Sequence, residues 1–419
     1  MNILFVSGNP HLPQVFGGVE INTHELATEL VGRGHHVAVA AKLSLRDRFG
    51  LSRAALTILG ARGVTYDSDL GYGVFRGRKL LGFLPDLPRP DIAIIQTGAM
   101  PEFGRRLAGL GVPSVAYLHG LGFEDWQELR SRPHGCLPFC GYLAVSQFAA
   151  RRFKQLCGID PIVLAPFFRR ERYETPLQGG MVTFINPVPP KGVELAIQIA
   201  QLCPAIRFSF VYGWRLGFSD WANLQCRLRS LSNVVLRRRT SDMRSIYRDT
   251  KILLVPSQWE ETWGRVASEA QCSGIPVVAS NRGGLPEAVG PGGILLDPGH
   301  SPATWAAVIR QLYSDRNQYE ALSQAARQHA ARPSLNPDLQ IASLMALLAG
   351  FIENAGHQNC SEMREARASG LGGALPKSRS DRAASAVMAT TGMKNPSGAA
   401  ATTMIAAASP ASWPVDRSC

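Results

Sequence analysis

Short apolar, often β-branched runs alternate with stretches of helical period along most of the chain. In the first half the runs are Ile3–Ser7, His36–Ala40, Asp91–Gln96, Ser114–Leu118, Gly141–Val145 and Ile162–Ala165. Between the first two, Val19–Arg33 sets Ile21, Leu26, Leu30 and Val31 on one side and ends at Gly32 and Gly34, as an amphipathic helix with glycine stops would. After a polar stretch, Arg169–Gly180, the pattern restarts. Strands are predicted at Met181–Ile185, Arg207–Val211, Val234–Leu236, Ile252–Val255 and Pro276–Ala279, and helices at Gly192–Leu202, Asp220–Leu231, Gly264–Cys272 and Pro302–Tyr313. Such alternation implies parallel sheets covered by helices. The chain therefore reads as α/β, with domains over 1–170 and 178–335 and a further helix over 336–353. Leu43–Arg89 has irregular patterning that converts into no pocket. From about Ala355, Ala, Ser, Gly and Thr dominate, and 355–419 reads as a disordered tail without catalytic content.

Length and composition agree with this layout. A chain of 419 residues, 45% hydrophobic and 18% charged, suits two globular domains and excludes fibrous or wholly disordered classes. Lys and Arg number 44 against 32 Asp and Glu, a net +12, which favours anionic partners without choosing among phosphate ligands, acidic membranes and nucleic acid. The eight cysteines have no repeated spacing, so they read as reduced thiols of a cytosolic protein rather than a disulfide framework. Cys136 and Cys140 with His134 lack the second pair a zinc corner needs. The start runs directly into a strand pattern, with no basic leader. The apolar run Leu339–Ile352, about 14 residues, is shorter than a spanning helix needs, so the expectation is a soluble or at most peripheral protein.

Three loops carry candidate chemistry. Phe16-Gly17-Gly18-Val19-Glu20 lies between the first strand and the first helix, where glycines admit a close backbone approach and a helix start favours phosphate. It lacks the dinucleotide fingerprint, which argues against a dehydrogenase. Asn186-Pro187-Val188-Pro189-Pro190-Lys191-Gly192 follows the first strand of the second half. There Lys191 can neutralise a diphosphate and Asn186 can donate a hydrogen bond, although Pro-Pro-Lys-Gly alone is an ordinary surface loop. The third, Pro256 to Ala270, is the most specific. Glu261 stands in a polar loop and Glu269, eight positions on, in the following helix. Two acceptors bracketing helix-start amides suit sugar, diphosphate and ribose in a row.

These residues resemble the family 4 glycosyltransferases. The likeness covers roughly residues 1–353 and is carried by Pro256-Ser257, Glu261, Gly264, Glu269-Ala270, Gly274, Pro276 to Ser280, Gly283-Gly284 and Pro286-Glu287. Gly17-Gly18-Val19-Glu20 and Arg33-Gly34-His35 match the family's opening. The resemblance implies a GT-B fold, two Rossmann-like domains facing across a cleft. Residues 1–170 would bind the acceptor, 178–335 the nucleotide sugar, and the helix over 336–353 would pack back toward the N-terminal domain. It implies retaining, metal-independent transfer from a nucleotide diphosphate sugar, a co-substrate rather than a cofactor, to an acceptor hydroxyl. A saccharide or lipid-linked saccharide acceptor in envelope or exopolysaccharide synthesis is expected.

Residue by residue, Glu261 would contact the donor sugar, Glu269 the ribose hydroxyls and Lys191 the diphosphate. Amides around Trp263, Gly264 and Arg265 would help Lys191, and Gly17 and Gly18 would bring their loop against the same group. His119, in Tyr117-Leu118-His119-Gly120, resembles the histidine beside the reacting sugar carbon. The family usually has arginine where Asn186 stands, so a catalytically idle nucleotide-sugar binder is the alternative reading. Thr262 and Trp263 replace Gly-Phe, a mild departure that keeps an aromatic wall. Asp67-Ser68-Asp69 imitates a metal-binding motif of another glycosyltransferase class but reads as a solvated turn. Arg151-Arg152 with Lys154, Arg169-Arg170 and Arg237-Arg238-Arg239 lack interleaved aromatics, so nucleic acid is not an expected partner. They read as solvated faces, with peripheral contact to anionic lipid the alternative for Arg151–Lys154.

Overall fold

A computed structural model describes residues 1–59, 63–121, 137–214, 217–240 and 242–368. The chain divides at Phe351/Ile352, and both sheets lie in the first unit. The N-terminal lobe holds β1 (Asn2–Ser7), β2 (His36–Lys42), β3 (Val64–Asp67), β4 (Gly73–Gly77), β5 (Ile92–Thr97), β6 (Ser114–Leu118), β7 (Gly141–Ala144) and β8 (Ile162–Val163). Its helices are α1 (Gly18–Gly32), α2 (Arg48–Leu59), α3 (Leu80–Phe83), α4 (Met100–Ala108) and α5 (Gln147–Cys157). The C-terminal lobe adds β9 (Met181–Ile185), β10 (Phe208–Tyr212), β11 (Val234–Arg238), β12 (Thr250–Val255), β13 (Val277–Ser280) and β14 (Gly293–Leu296). With them come α6 (Val193–Leu202), α7 (Phe218–Arg229), α8 (Arg244–Arg248), α9 (Arg265–Gln271), α10 (Leu285–Val289), α11 (Pro302–Ser314), α12 (Arg316–Ala330) and α13 (Pro337–Ala368).

Sheet order is β3-β4-β2-β1-β5-β6-β7-β8 in the first lobe and β11-β10-β9-β12-β13-β14 in the second. All pairings are parallel except β3 with β4. Central strands covered on both faces are apolar throughout: Ile3, Leu4, Phe5 and Val6 are at most 1% exposed. In the second lobe Phe184 meets Phe210 edge-on at 5.2 Å, and the fully buried Trp305 of α11 closes the same core.

This order decides where a ligand can sit. The chain reverses direction across each sheet between β1 and β5 and between β9 and β12, and crevices open at the carboxyl ends of strands at such points. The Gly17-Gly18 loop follows β1, the Lys191 loop follows β9 and the Glu261 loop follows β12. A Cβ on Gly8 would lie 2.6 Å from the Gly98 Cα, so the loops after β1 and β5 touch backbone to backbone.

Several expectations are corrected. Leu43–Arg89 holds α2, β3, β4 and α3; the two strands, Val-Thr-Tyr-Asp and Gly-Val-Phe-Arg-Gly, mix polar and apolar residues and lack the continuous apolar run of a buried strand. Asp67 is not in a solvated turn: it ends β3 and pairs with the fully buried Arg76 at 2.8 Å. Nor are all the basic clusters free faces. Arg169 forks onto Glu29 at 2.7 Å to each oxygen, and Arg237 meets Asp249 at 2.7 Å. The inner face of α1 is polar as well as apolar, with Glu20, Asn22, Thr23 and Glu25 buried and Ile21 half-buried. The helix predicted to end at 353 continues to Ala368 through Glu362-Met363-Arg364-Glu365-Ala366, strong helix formers; residues 369–419 of the expected tail lie outside the described residues.

Within α13, Pro337–Gly356, 20 residues of mean hydropathy 1.3, is long and apolar enough by length and composition to cross a membrane. Yet Ile341, Leu344 and Leu348 are at most 1% exposed, and the Gln340 side chain donates to the Ala165 carbonyl at 3.0 Å. His134 and Cys136 lie outside the described residues, and Cys140 is a free thiol pushed up to about 11 by burial.

Candidate active site between the lobes

The loops after β1, β6, β9 and β12 converge on a cavity of about 610 Å³ lined by residues of both lobes, a size that suits a small-molecule ligand. Its walls include all ten residues singled out from the sequence: Gly17, Gly18, His119, Asn186, Lys191, Glu261, Trp263, Gly264, Arg265 and Glu269.

Glycines set the loop paths. A Cβ on Gly17 would collide with the Glu20 carboxylate, whereas one on Gly18 would meet nothing within 4 Å, leaving open space above the start of α1. Gly192 (φ +82°) lies so close to the Pro256 carbonyl that any side chain there would clash. Lys191, one residue earlier, is thereby held over the loop after β12. Gly264 (φ +97°) turns the chain into α9, and a Cβ there would strike Leu285.

Lys191 Nζ lies 2.9 Å from Glu261 Oε2, with the Trp214 and Trp259 rings 5.3 and 5.2 Å away. The Ser257 hydroxyl donates to Glu261 Oε1. Glu261 is only 7% exposed, a position a carboxylate keeps when it is paired and hydrogen-bonded. Lys191 and Glu261 both line the cavity, so the ammonium stands where an anion bound there would meet it.

Glu269 is more tightly held than two acceptors awaiting a ribose would suggest. Arg265 Nε donates to its Oε1 at 2.7 Å and the Tyr247 hydroxyl to its Oε2 at 2.8 Å. The same guanidinium donates to the Phe167 carbonyl at 2.6 Å, to Glu25 Oε2 at 2.5 Å and to the Tyr173 hydroxyl at 2.9 Å. Arg265 therefore joins a carboxylate of α1 to one of α9, and the spacing of the motif gives no hint of it because Glu25 lies in the other lobe. Burial with these hydroxyl-carboxylate contacts holds Tyr247 well above its ordinary pKa. Trp263 packs inward, its indole N–H on Ser268 Oγ at 3.0 Å.

Asn186 does not stand in for an arginine. It adopts φ +59°, a conformation asparagine tolerates better than most residues. Its Oδ1 accepts the Gly213 and Trp214 amides at 3.1 Å each, pinning the turn after β10. Its role is therefore that of a turn-former bordering the cavity, with only its amide nitrogen left to donate. His119 reaches the cavity with a buried Nε2 that has no partner among the described residues, and its ring lies 4.1 Å from that of Tyr117. Burial, reinforced by Arg265, pushes the imidazole down to about 3. It is a neutral ring with one nitrogen free to meet a ligand hydroxyl.

Residues 16–168 match the Glycosyltransferase Family 4 model and residues 174–329 the model Glycosyl transferases group 1. The chain is 45% identical over 93 residues to a D-inositol 3-phosphate glycosyltransferase of Corynebacterium kroppenstedtii, 22% of this chain and 20% of the relative. A protein of the same name in Paenarthrobacter aurescens is 40% identical over 191 residues, 41% of this chain and 46% of the relative. The chain thus spans less than half the length of these relatives. Among solved structures, Anabaena HepE in complex with UDP and glucose superposes with a TM-score of 0.67 at 19% identity, over 83% of this chain and all of that one. Sucrose-phosphate synthase from Thermosynechococcus elongatus gives 0.62 at 17% identity, over 84% of this chain and 99% of that one. With two glycosyltransferase models spanning both lobes and the paired sheets of the GT-B fold, the chain belongs to the family 4 glycosyltransferases.

Proposed function

We propose that the protein transfers a sugar from a nucleotide diphosphate sugar to an acceptor hydroxyl with retention of anomeric configuration. The observation that carries the reading is the Lys191–Glu261 pair at 2.9 Å, set in one cavity with Glu269, His119 and the Gly17-Gly18 loop. The bond from the anomeric carbon to the leaving diphosphate breaks as the bond to the acceptor oxygen forms. The departing phosphate oxygen takes the acceptor proton on the same face, so no protein nucleophile is assigned. Charge grows on the diphosphate, and Lys191 with the amides around Gly264 stabilises it from a fixed position. These groups supply the positive charge, so transfer should persist in a chelator. Glu261 and the neutral His119 orient sugar hydroxyls, and positioning of this kind is worth several kcal/mol.

The relatives' shared name favours a phosphorylated polyol as acceptor, and the net charge of +12 suits an anionic one. A saccharide or lipid-linked saccharide is the competing acceptor. Thermal stabilisation by a panel of UDP-, GDP-, ADP- and dTDP-sugars identifies the donor. Turnover of that donor with inositol phosphates, free sugars and lipid-linked saccharides then separates the acceptors. Donor binding without hydrolysis or transfer would make the protein an idle binder; no stabilisation by any nucleotide sugar would refute the proposal.

A further inference from the structure

Four cationic side chains line the described part of the cavity: Lys191, Arg239, Arg265 and Arg282. Two are already committed to carboxylates. Lys191 pairs with Glu261, and Arg265 is buried between Glu25 and Glu269. Arg282 is exposed. Arg239 differs from all three. It is half-buried, and among the described residues no carboxylate lies within 4 Å of it.

Its position is nonetheless fixed. The Arg239 amide donates to the Tyr212 carbonyl at 2.8 Å, anchoring the residue just past β11. The guanidinium crosses to the other lobe, where Nη1 donates to the Phe16 carbonyl at 2.7 Å and Cζ lies 5.7 Å from the centre of the Phe16 ring. Phe16 directly precedes Gly17. On the other side a Cβ added to Gly213 would lie 2.9 Å from Arg239 Cδ and 3.2 Å from Asn186 Oδ1, so Arg239 and Asn186 flank the same glycine. A guanidinium carries five N–H donors in a rigid fork. One is used here among the described residues, and a cation held in a cavity with donors to spare is built to meet an anion.

Building on the nucleotide-sugar reading above, we propose that Arg239 is the second cation for the donor diphosphate, supplied from β11 instead of from position 186. Asn186 is neutral, and its oxygen holds the turn after β10. An arginine there would have to adopt φ +59° and would release the Gly213 and Trp214 amides. Arg239 places the charge beside that turn without disturbing it and ties it to the Gly17-Gly18 loop.

The test is calorimetric titration of wild type, Arg239→Gln and Arg239→Lys with a nucleoside, its monophosphate and its diphosphate, using whichever of UDP, ADP or GDP binds wild type. Arg239→Gln should weaken the diphosphate roughly ten- to a hundred-fold while leaving the nucleoside within about twofold. Arg239→Lys should recover part of the loss, and melting temperatures of all three should agree. Unchanged diphosphate affinity in Arg239→Gln, or an equal loss for nucleoside and diphosphate, overturns the assignment while leaving the proposed function standing. Wild type that binds no nucleoside diphosphate overturns both.

Discussion

Thr262 and His119 meet across the cleft: the Thr262 hydroxyl donates to the His119 carbonyl at 2.6 Å. A second bridge lies beside it. The Glu287 carboxylate of α10 accepts the Gln147 and Phe148 amides at 2.8 and 2.6 Å, so one lobe caps the start of α5 in the other, where free amides favour negative charge. Removing both bridges by Thr262→Val with Glu287→Ala should cost the closed arrangement about 2–3 kcal/mol. The expected readouts are a larger radius of gyration in X-ray scattering and weaker donor binding. Scattering identical to wild type would refute the bridging role.

The Lys191–Glu261 pair should divide binding from transfer. Lys191→Ala removes the diphosphate cation and should weaken nucleoside diphosphate binding. Glu261→Gln removes the carboxylate that neutralises Lys191, so the nucleotide should bind at least as well while transfer falls about 10²–10³-fold. Titration of the nucleotide and steady-state rates on the same preparations check the split.

Arg265 should matter for folding before catalysis. Replacing it by Met leaves Glu25 and Glu269 buried without their shared counter-ion, and breaking a buried pair in this way costs about 3–5 kcal/mol. The double variant Arg265→Met with Glu25→Gln should regain part of that, because one of the stranded charges is gone. Urea unfolding of the three proteins tests the ordering.

Stability should carry a signature of Glu20. Burial pushes its carboxyl up to about 7, against the opposing pull of the Glu20 and Gly17 amides. The folded protein therefore holds a proton that the unfolded chain releases near its ordinary value of 4.5. The contribution of Glu20 is full below pH 4.5, falls as pH rises toward 7 and is gone above it, about 3 kcal/mol over the window. Glu20→Gln should lack this slope, and subtracting its unfolding free energies from those of wild type between pH 4 and 8 isolates it from other groups.

Much of the architecture is legible in the sequence because its signals are local. Ser114–Leu118 and Met181–Ile185 form strands with the predicted ends, since apolar runs bounded by Gly, Pro or Asn leave few alternatives to a buried strand. The placement of the Gly17, Lys191 and Glu261 loops follows from strand-helix order alone, because parallel sheets open toward ligands at their carboxyl ends. Leu43–Arg89 was opaque for the converse reason: β3 (Val-Thr-Tyr-Asp) and β4 (Gly-Val-Phe-Arg-Gly) interleave polar residues and glycine with apolar ones, so no apolar run marks them.

The alternation of elements and the set of loops that meet at the cleft are thus written in local residue patterns, because backbone preference and hydrophobic period act over a few residues. Which charges stay available depends instead on the folded arrangement. Asp67 finds Arg76, Glu269 is shared with Arg265 and Tyr247, Asn186 turns to its neighbours' amides, and Arg239 keeps free donors beside the glycine loop. Ion pairing depends on distance through space, and residues as far apart in the chain as Glu25 and Arg265 become partners only when two sheets face each other.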